Sequence, residues 1–170
     1  MLPKEEGQAL NYITYGLYIV TAADGEKKNG LIVNTVFQVT AEPPKMAISV
    51  NKQSLTHAYI VNSGKFAAMP LAQNTNLAFI GRFGFRTGRT FDKLAGVPYQ
   101  VGPSGCPIIQ QDTLSYMEVK VSHTVDVGTH TLFIGDVTDA GLLQPQGIPL
   151  TYEYYHTVIK GKTPAGATHL

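Results

Sequence analysis

The chain has 170 residues, 44% of them hydrophobic, which is enough for one domain with a substantial core. Thirteen Lys and Arg residues against twelve Asp and Glu residues leave a formal net charge of +1, so no strong field attracts nucleic acid or an acidic membrane surface. Cys106 is the single cysteine, which excludes an intrachain disulfide framework and a multi-cysteine metal site. We therefore expect one domain over residues 1–170 and no nucleic-acid partner.

The first residues, MLPKEEGQALNYI, carry acids where a signal peptide carries basic residues. No apolar run approaches the roughly 20 residues of a membrane span. These features, with the lone cysteine, favour a cytoplasmic protein without a membrane partner. The five histidines form no closely spaced pair and have no acids clustered beside them, so we also expect no bound metal.

Strands are predicted where β-branched and aromatic residues alternate or cluster. In chain order these runs cover residues 17–22, 31–40, 46–51, 65–72, 116–122 and 129–137. The breaks between them contain turn residues, and connections this short favour antiparallel neighbours. Helices are predicted over residues 4–14, 54–62, 75–83 and 151–158. Ser54 and Thr151 are the expected N-caps of two of these helices.

Six or more strands with interspersed short helices predict a mainly β fold with a few peripheral helices. We expect an antiparallel barrel that is closed or nearly closed, because closure removes strand edges that would pair with other chains. The polar tail, residues 159–170, is expected to lie along a partner rather than over its own core.

Residues 34–57 concentrate polar side chains around two predicted strands. If residues 31–40 form one strand, alternation places Asn34, Val36, Gln38 and Thr40 on one face and Thr35, Phe37 and Val39 on the other. The hexapeptide KQSLTH (52–57) follows, where a strand ends and a helix begins. Its free backbone amides, hydroxyls and ammonium suit a phosphate monoester. Taken alone, the hexapeptide reads better as an ordinary helix cap.

A polar strand face beside a phosphate-binding helix start indicates a ligand with a flat polar heterocycle at one end and a phosphate at the other. Flavin mononucleotide (FMN) fits this description. Its ring needs amides and hydroxyls around the pyrimidine edge and apolar contacts around the dimethylbenzene edge. Because the cofactor carries the redox chemistry, hydride transfer requires no protein general base, and the scarcity of acids in this segment agrees with that.

The segment YGLYIVTAADGEKKNGLIVNTVFQVTAEPPKMAISVNKQSLTH (15–57) resembles the start of a flavin reductase-like domain. Four later segments match the same family in the same order: FIGRFGF (79–85), DVGTHTLFIGDV (126–137), TYEYYH (151–156) and KGKTP (160–164). Within the family, these segments most resemble the subgroup that contains archaeal ferric reductases and rubredoxin-linked flavin reductases. It covers nearly the whole chain.

The resemblance implies an FMN-binding split β-barrel, a homodimer with the flavin at or near the interface, that takes hydride from NADH or NADPH. The reduced flavin would then pass electrons to an acceptor. A built-in iron centre would need paired CxxC motifs, and this chain has one cysteine. The expected acceptors are therefore free flavin, a ferric chelate, oxygen, or a separate rubredoxin-like or other electron-transfer protein.

The resemblance also implies site residues, and none of them is a protein catalyst. The flavin ring is expected to contact Asn34, Thr35, Val36, Phe37, Gln38 and Thr40. The ribityl chain and phosphate are expected to contact Asn51, Lys52, Ser54, Thr56 and His57, and Arg82 and Phe83 complete the cofactor site. The expected nicotinamide residues are His130, Tyr155, His156, Arg86 and Arg89.

Several of these residues have a plainer reading. Arg86 and Arg89 suit a solvated basic loop as well as a ligand site, and the aromatic cluster with Tyr155 and His156 suits core packing or a dimer contact. Two further functions also stay open. One is a flavin-holding electron carrier that exchanges electrons with protein partners and reacts poorly with nicotinamides. The other is a non-enzymatic barrel that binds another phosphate-bearing molecule.

Overall fold

The computed structural model describes residues 8–164 and 166–167. In this part of the chain the strands are β1 (Tyr18–Asp24), β2 (Lys27–Val33), β3 (Val36–Ala41), β4 (Pro44–Asn51), β5 (Lys65–Pro70), β6 (Tyr99–Val101), β7 (Pro107–Ile109), β8 (Ser115–Asp126) and β9 (His130–Leu142). The helices are α1 (Leu55–Ser63), α2 (Leu77–Gly84) and α3 (Tyr152–Thr157), and a 3₁₀ helix covers Gln8–Tyr12. Residues 4–7 of the predicted helix 4–14 lie outside the described residues.

Seven strands form one antiparallel sheet in the order β2-β1-β5-β8-β9-β4-β3. Val33 at the end of β2 and Val36 at the start of β3 belong to one buried cluster, although β2 and β3 are the outermost strands. The sheet therefore curls round a common core into an open barrel, while β6 and β7 form a separate two-stranded sheet. The predicted mainly β, antiparallel fold is confirmed.

The sheet carries a core on each of its faces. Inside the barrel, Phe66 and Phe133 pack with aliphatic side chains of the strands and with Ile60 of α1. On the other face, residues of α2, β7 and α3 form a second cluster around Ile19. Ile19 and Val20 are neighbours in β1 and belong to different clusters, because successive side chains of a strand point to opposite faces.

The single strand predicted for residues 31–40 is wrong, because the chain turns between β2 and β3 at Asn34 and Thr35. Asn34 is buried, and Thr35 Oγ1 donates to its Oδ1 over 3.1 Å. Ser49 N donates to Thr35 O over 3.1 Å, which fixes this corner against β4. Asn disfavours strands and hydrogen-bonds locally instead, which is the physical reason for the break. Strands β6 and β7, of three residues each, are too short for a sequence pattern to predict.

Both predicted N-caps are confirmed. The side-chain oxygen of Ser54 accepts from His57 N at 3.1 Å, and that of Thr151 accepts from Tyr154 N at 3.2 Å. Helix α1 is capped at its C-terminal end by Gly64, whose φ of 68° lies in the left-handed region that favours glycine. None of the helices among the described residues is long and apolar enough to cross a membrane.

Candidate functional site

A cleft of about 650 Å³ opens where the ends of β2 and β4 meet the start of α1, the loop after α2, and α3. This volume is in the range of small-molecule sites, which runs from roughly 300 to 1,000 Å³. The part of the lining at the start of α1, here called the polar end, includes Asn29, Asn51 and Ser54, whereas α2 and α3 contribute Ile80, Phe83 and Tyr155. A ligand with one polar and one apolar part matches this division.

The polar end is built around the first turn of α1. Asn29 Nδ2 on β2 donates to Thr56 Oγ1 over 3.0 Å, and Asn51 Oδ1 accepts from Gln53 N at 2.9 Å. The first amides of a helix have no intrahelical acceptor and carry the positive end of the helix dipole. The start of α1 is therefore suited to an anionic group.

Asn34 supplies an unpaired polar group in the same cleft. Asn34 is 8% exposed, and its Nδ2 atom is buried with no hydrogen-bond partner in the described part of the chain. A buried unpaired amide donor costs roughly 1 to 3 kcal/mol. A carbonyl or ring-nitrogen acceptor of a bound ligand would remove this cost.

The loop after α2 forms a second polar wall. Arg82 Nη1 donates to Lys93 O over 3.2 Å and to Ala95 O over 2.6 Å, so α2 holds the far end of the loop in place. Arg86 lies with its guanidinium 5.3 Å from the centre of the Phe91 ring and lines the cleft. Among the described residues this guanidinium forms no ion pair, so a cation lies at the cleft without an opposite charge to hold it.

The charged residues that line the described cleft are all cationic. They are Arg86, Lys93 and Lys162, and no Asp or Glu lines it. Burial lowers the pKa of the Lys93 ammonium from its ordinary value of 10.5 to about 8. The cleft therefore favours an anionic ligand and offers it no carboxylate base.

The C-terminal segment lies over this cleft. Tyr155 Oη donates to Lys162 O over 2.9 Å, Tyr152 Oη and Thr163 Oγ1 are 2.7 Å apart, and Asn51 Nδ2 donates to Gly166 O over 2.9 Å. The expectation that the tail avoids its own core is wrong for the described residues, because these hydroxyl and amide groups bind its backbone and side chains. Residues 165 and 168–170 lie outside the described residues.

The structure brings together seven of the sequence-predicted site residues in the cleft. They are Asn34, Asn51, Ser54, Phe83, Arg86, His130 and Tyr155. The other predicted residues do not line it: Thr35, Val36, Phe37, Gln38, Thr40, Lys52, Thr56, His57, Arg82, Arg89 and His156. The ligand contacts of both groups stay predictions.

The residues outside the lining are engaged elsewhere or exposed. Gln38 Nε2 donates to Thr40 O on the exposed strand β3, and Lys52 Nζ pairs with Asp126 Oδ1 at 2.6 Å. His57 Nε2 lies 2.8 Å from Thr131 Oγ1. Some of the residues predicted to contact the flavin ring therefore lie on the edge strand β3, next to Asn34 and the cleft.

Sequence reasoning missed several residues that line the cleft. They are Asn29, Ser49, Gln53, Thr87, Lys93 and Lys162. Ser49 alternates with apolar neighbours on β4, which is a signal that could have found it. Asn29 and Lys93 carry no such signal, because tertiary folding alone brings their segments to the start of α1.

A pH dependence of folding follows from the two histidines beside the cleft. Burial, Lys52 and His130 lower the pKa of His57 below its ordinary 6.5, and burial lowers that of His130. The unfolded chain therefore binds more protons, so the contribution to stability is present above pH 6.5 and is lost as pH falls through the folded-state pKa. We expect less denaturant to unfold the protein at pH 5.5 than at pH 7.5, and a smaller difference in His57→Gln. An unchanged difference in that variant would contradict this origin.

The curled antiparallel sheet carries a cationic cleft at the start of a helix, an arrangement that suits an anionic ligand. No group of three or more His, Cys, Asp or Glu side chains in the described chain is placed to hold a metal ion. The chain belongs to the family described as the flavin reductase-like domain, which matches residues 10–159. The predicted family is confirmed, and the protein is an oxidoreductase of the flavin reductase kind.

Individual relatives agree with the family. The chain is 49% identical over 160 residues to the high molecular weight rubredoxin of Moorella thermoacetica, with 94% of this chain and 69% of that protein covered. It is 45% identical over 161 residues to the ferric-chelate reductase (NAD(P)H) of Archaeoglobus fulgidus, with 95% of each covered. Its fold resembles the NADH:FAD oxidoreductase SgcE6 of Streptomyces globisporus, with a TM-score of 0.76, 22% identity, and 89% and 90% of the two chains covered.

Proposed function

We propose that this protein is a cytoplasmic, single-domain, FMN-dependent NAD(P)H oxidoreductase that passes electrons to free flavin, a ferric chelate or a separate electron-transfer protein. The observation that carries the proposal is the cleft, which combines an unpaired amide at Asn34, a helix start and three cationic side chains with no carboxylate. The family membership and the ferric-chelate reductase relative support the same function.

The residues of the cleft fit a flavin mononucleotide. Asn34 Nδ2 would donate to the polar edge of the ring, and Phe83 lies in the apolar part of the wall. The start of α1 and Arg86 would hold the phosphate. A bound flavin would supply the redox chemistry, as the acceptor of a hydride from the nicotinamide and the donor of electrons to the final acceptor. The chain's own part would be to bind and orient the flavin and the nicotinamide, and His130 and Tyr155, which line the cleft, are the proposed nicotinamide contacts.

The absorption spectrum of the freshly purified protein tests this function. Titration with FMN should produce a flavin spectrum shifted by binding, and FAD is the comparison that tests the choice of flavin. Anaerobic NADH or NADPH should then bleach the bound flavin within the mixing time of a rapid-mixing instrument. A colourless protein whose addition leaves the FMN spectrum unchanged would point to another phosphate-bearing ligand and would overturn the proposal.

A flavin-holding electron carrier is the second candidate, and the similarity to a protein named as a rubredoxin favours it. The rapid-mixing experiment separates the two functions. A reductase is reduced quickly by at least one nicotinamide, whereas a carrier binds FMN and bleaches slowly with both.

We also propose that the protein forms a homodimer through β3. This edge strand exposes Phe37 and Val39 with 48% and 46% of their surfaces accessible, and an unprotected apolar edge is a natural site for pairing. Phe37→Glu is expected to shift the mass measured by light scattering from dimer toward monomer. Leu142→Glu, which changes an exposed apolar residue on β9, is the control and should stay dimeric. A monomeric wild-type protein at micromolar concentration would contradict the proposal.

A further inference from the structure

Lys93 is a buried lysine at the wall of the cleft. The residue is 4% exposed, and its Nζ donates to Gly30 O over 3.0 Å and to Phe83 O over 2.9 Å. Gly30 belongs to β2 and Phe83 to the last turn of α2. The ammonium therefore sits between a strand and a helix end, in a segment that has no regular secondary structure of its own.

No carboxylate of the described residues forms an ion pair with this ammonium. The ion pairs of the described residues are Lys45–Asp136 and Lys52–Asp126, and neither includes Lys93. Burying a charge without an opposite charge is costly, and the carbonyl at the negative end of α2 offsets only part of that cost. An ammonium has three N–H donors, and the described chain provides acceptors for two of them. One donor is left for a ligand in the cleft.

The position of Lys93 identifies the part of the ligand that it faces. Gly30 follows Asn29, whose side chain donates to Thr56 in the first turn of α1. The ammonium is thus held beside the polar end of the cleft, together with the helix start and Arg86. A single anionic group at this end would interact with both the positive end of the α1 dipole and the Lys93 ammonium.

We propose that Lys93 is a binding residue for the phosphate of the flavin and makes the site selective for a phosphorylated flavin over riboflavin. This inference rests on the proposed function, since it assumes that a flavin occupies the cleft. The sequence assigned the phosphate to residues of the α1 start and did not include Lys93. In this proposal an ammonium, backbone amides and a guanidinium together bind a phosphate monoester.

Phosphate binding by Lys93 should be coupled to proton uptake. The other charged residues of α2 and the loop after it are Arg82, Arg86, Arg89 and Asp92, and those of β2 are Lys27 and Lys28. Burial holds the pKa of Lys93 at about 8, and a neighbouring phosphate raises the pKa of an ammonium. FMN binding should therefore take up protons between pH 8 and 9, and its affinity should fall as pH rises above 8. Riboflavin, which has no phosphate, should show neither effect.

The test measures dissociation constants for FMN and for riboflavin by quenching of flavin fluorescence. In Lys93→Met, FMN binding should weaken about 10- to 100-fold while riboflavin binding changes little, because one charge-assisted hydrogen bond is lost. Lys93→Arg keeps a charge that does not titrate, so FMN affinity should stay within a few-fold and its pH dependence between 7 and 9 should disappear. Lys27→Met removes an exposed lysine of β2, the strand that contains Gly30, and is the matched control.

Each outcome decides between the inference and the proposed function. If the wild-type protein binds neither flavin, the proposed function fails. If it binds FMN but Lys93→Met loses FMN and riboflavin equally, or loses neither, Lys93 is structural and the inference is wrong. If Lys93→Met binds NADPH more weakly while the ratio of its FMN and riboflavin dissociation constants stays unchanged, the Lys93 charge serves the nicotinamide nucleotide, and the inference is also wrong. If Lys93→Met does not fold, the pH dependence of Lys93→Arg still decides.

Discussion

Gly88→Ala is expected to weaken FMN binding by about 10-fold or more while the protein stays folded. Gly88 lines the cleft in the loop after α2, and a Cβ at this position would lie 2.6 Å from Cγ of Asn29. Asn29 is 3% exposed and is tied to Thr56, so it has no free direction in which to move. The loop must therefore shift, and it carries Arg86 and Thr87 away from the ligand.

Gly81→Ala is the matched control for this prediction. Gly81 lies on α2, and a Cβ there would meet no atom within 4 Å. Alanine also favours helix over glycine by roughly 1 kcal/mol, so this variant should bind FMN as the wild type does and unfold at a slightly higher temperature. Flavin titration and thermal unfolding of the three proteins check both statements. Equal FMN affinity in all three would show that the loop tolerates the side chain and does not shape the site.

Phe133→Ala is expected to lower the free energy of unfolding by about 3 to 5 kcal/mol. Phe133 on β9 is 1% exposed and packs in the core inside the barrel. Its ring centre lies 5.3 Å from that of His57 on α1, so the side chain joins the helix to the barrel interior. Truncation would leave a cavity between strands that the curled sheet cannot close by moving one element.

Denaturant unfolding monitored by circular dichroism measures this effect. Val127→Ala removes two methyl groups from a residue that is 55% exposed, and it should change the free energy of unfolding by less than about 0.5 kcal/mol. A loss below 1 kcal/mol in Phe133→Ala would mean that the barrel core repacks freely, contrary to the two-sided packing of the sheet.

Most of the barrel could be predicted because its central strands are runs rich in apolar, β-branched and aromatic residues, as a sheet packed on both faces requires. The caps at Ser54 and Thr151 were also predictable, since a cap is a local hydrogen bond between near neighbours in the chain. The corner at Asn34 was not predictable, because a single Asn among β-branched and apolar residues is too weak a signal to end a predicted strand. What breaks it is a buried amide held by Thr35 and a bond from Ser49, which lies on another strand.

The candidate site, too, could be predicted only in part from the sequence. Asn34, Asn51 and Ser54 belong to one continuous segment, so chain order alone brings them near one another. Lys93 lies about forty residues further on in a loop without a motif, and only its bonds to Gly30 and Phe83 bring it to the cleft. The tail was misjudged because a polar, proline-containing composition gives no hint of the tyrosines that bind it.

The hydrogen bonds of Arg82 and Lys93 have a dynamic consequence. Two side chains join the end of α2, strand β2 and residues 93–95, so this irregular stretch cannot open unless those bonds break. Its amides should exchange with deuterium in step with those of α2 rather than at the fast rate usual for loops. Since this wall is already rigid before a ligand arrives, closing around the ligand costs little conformational entropy there.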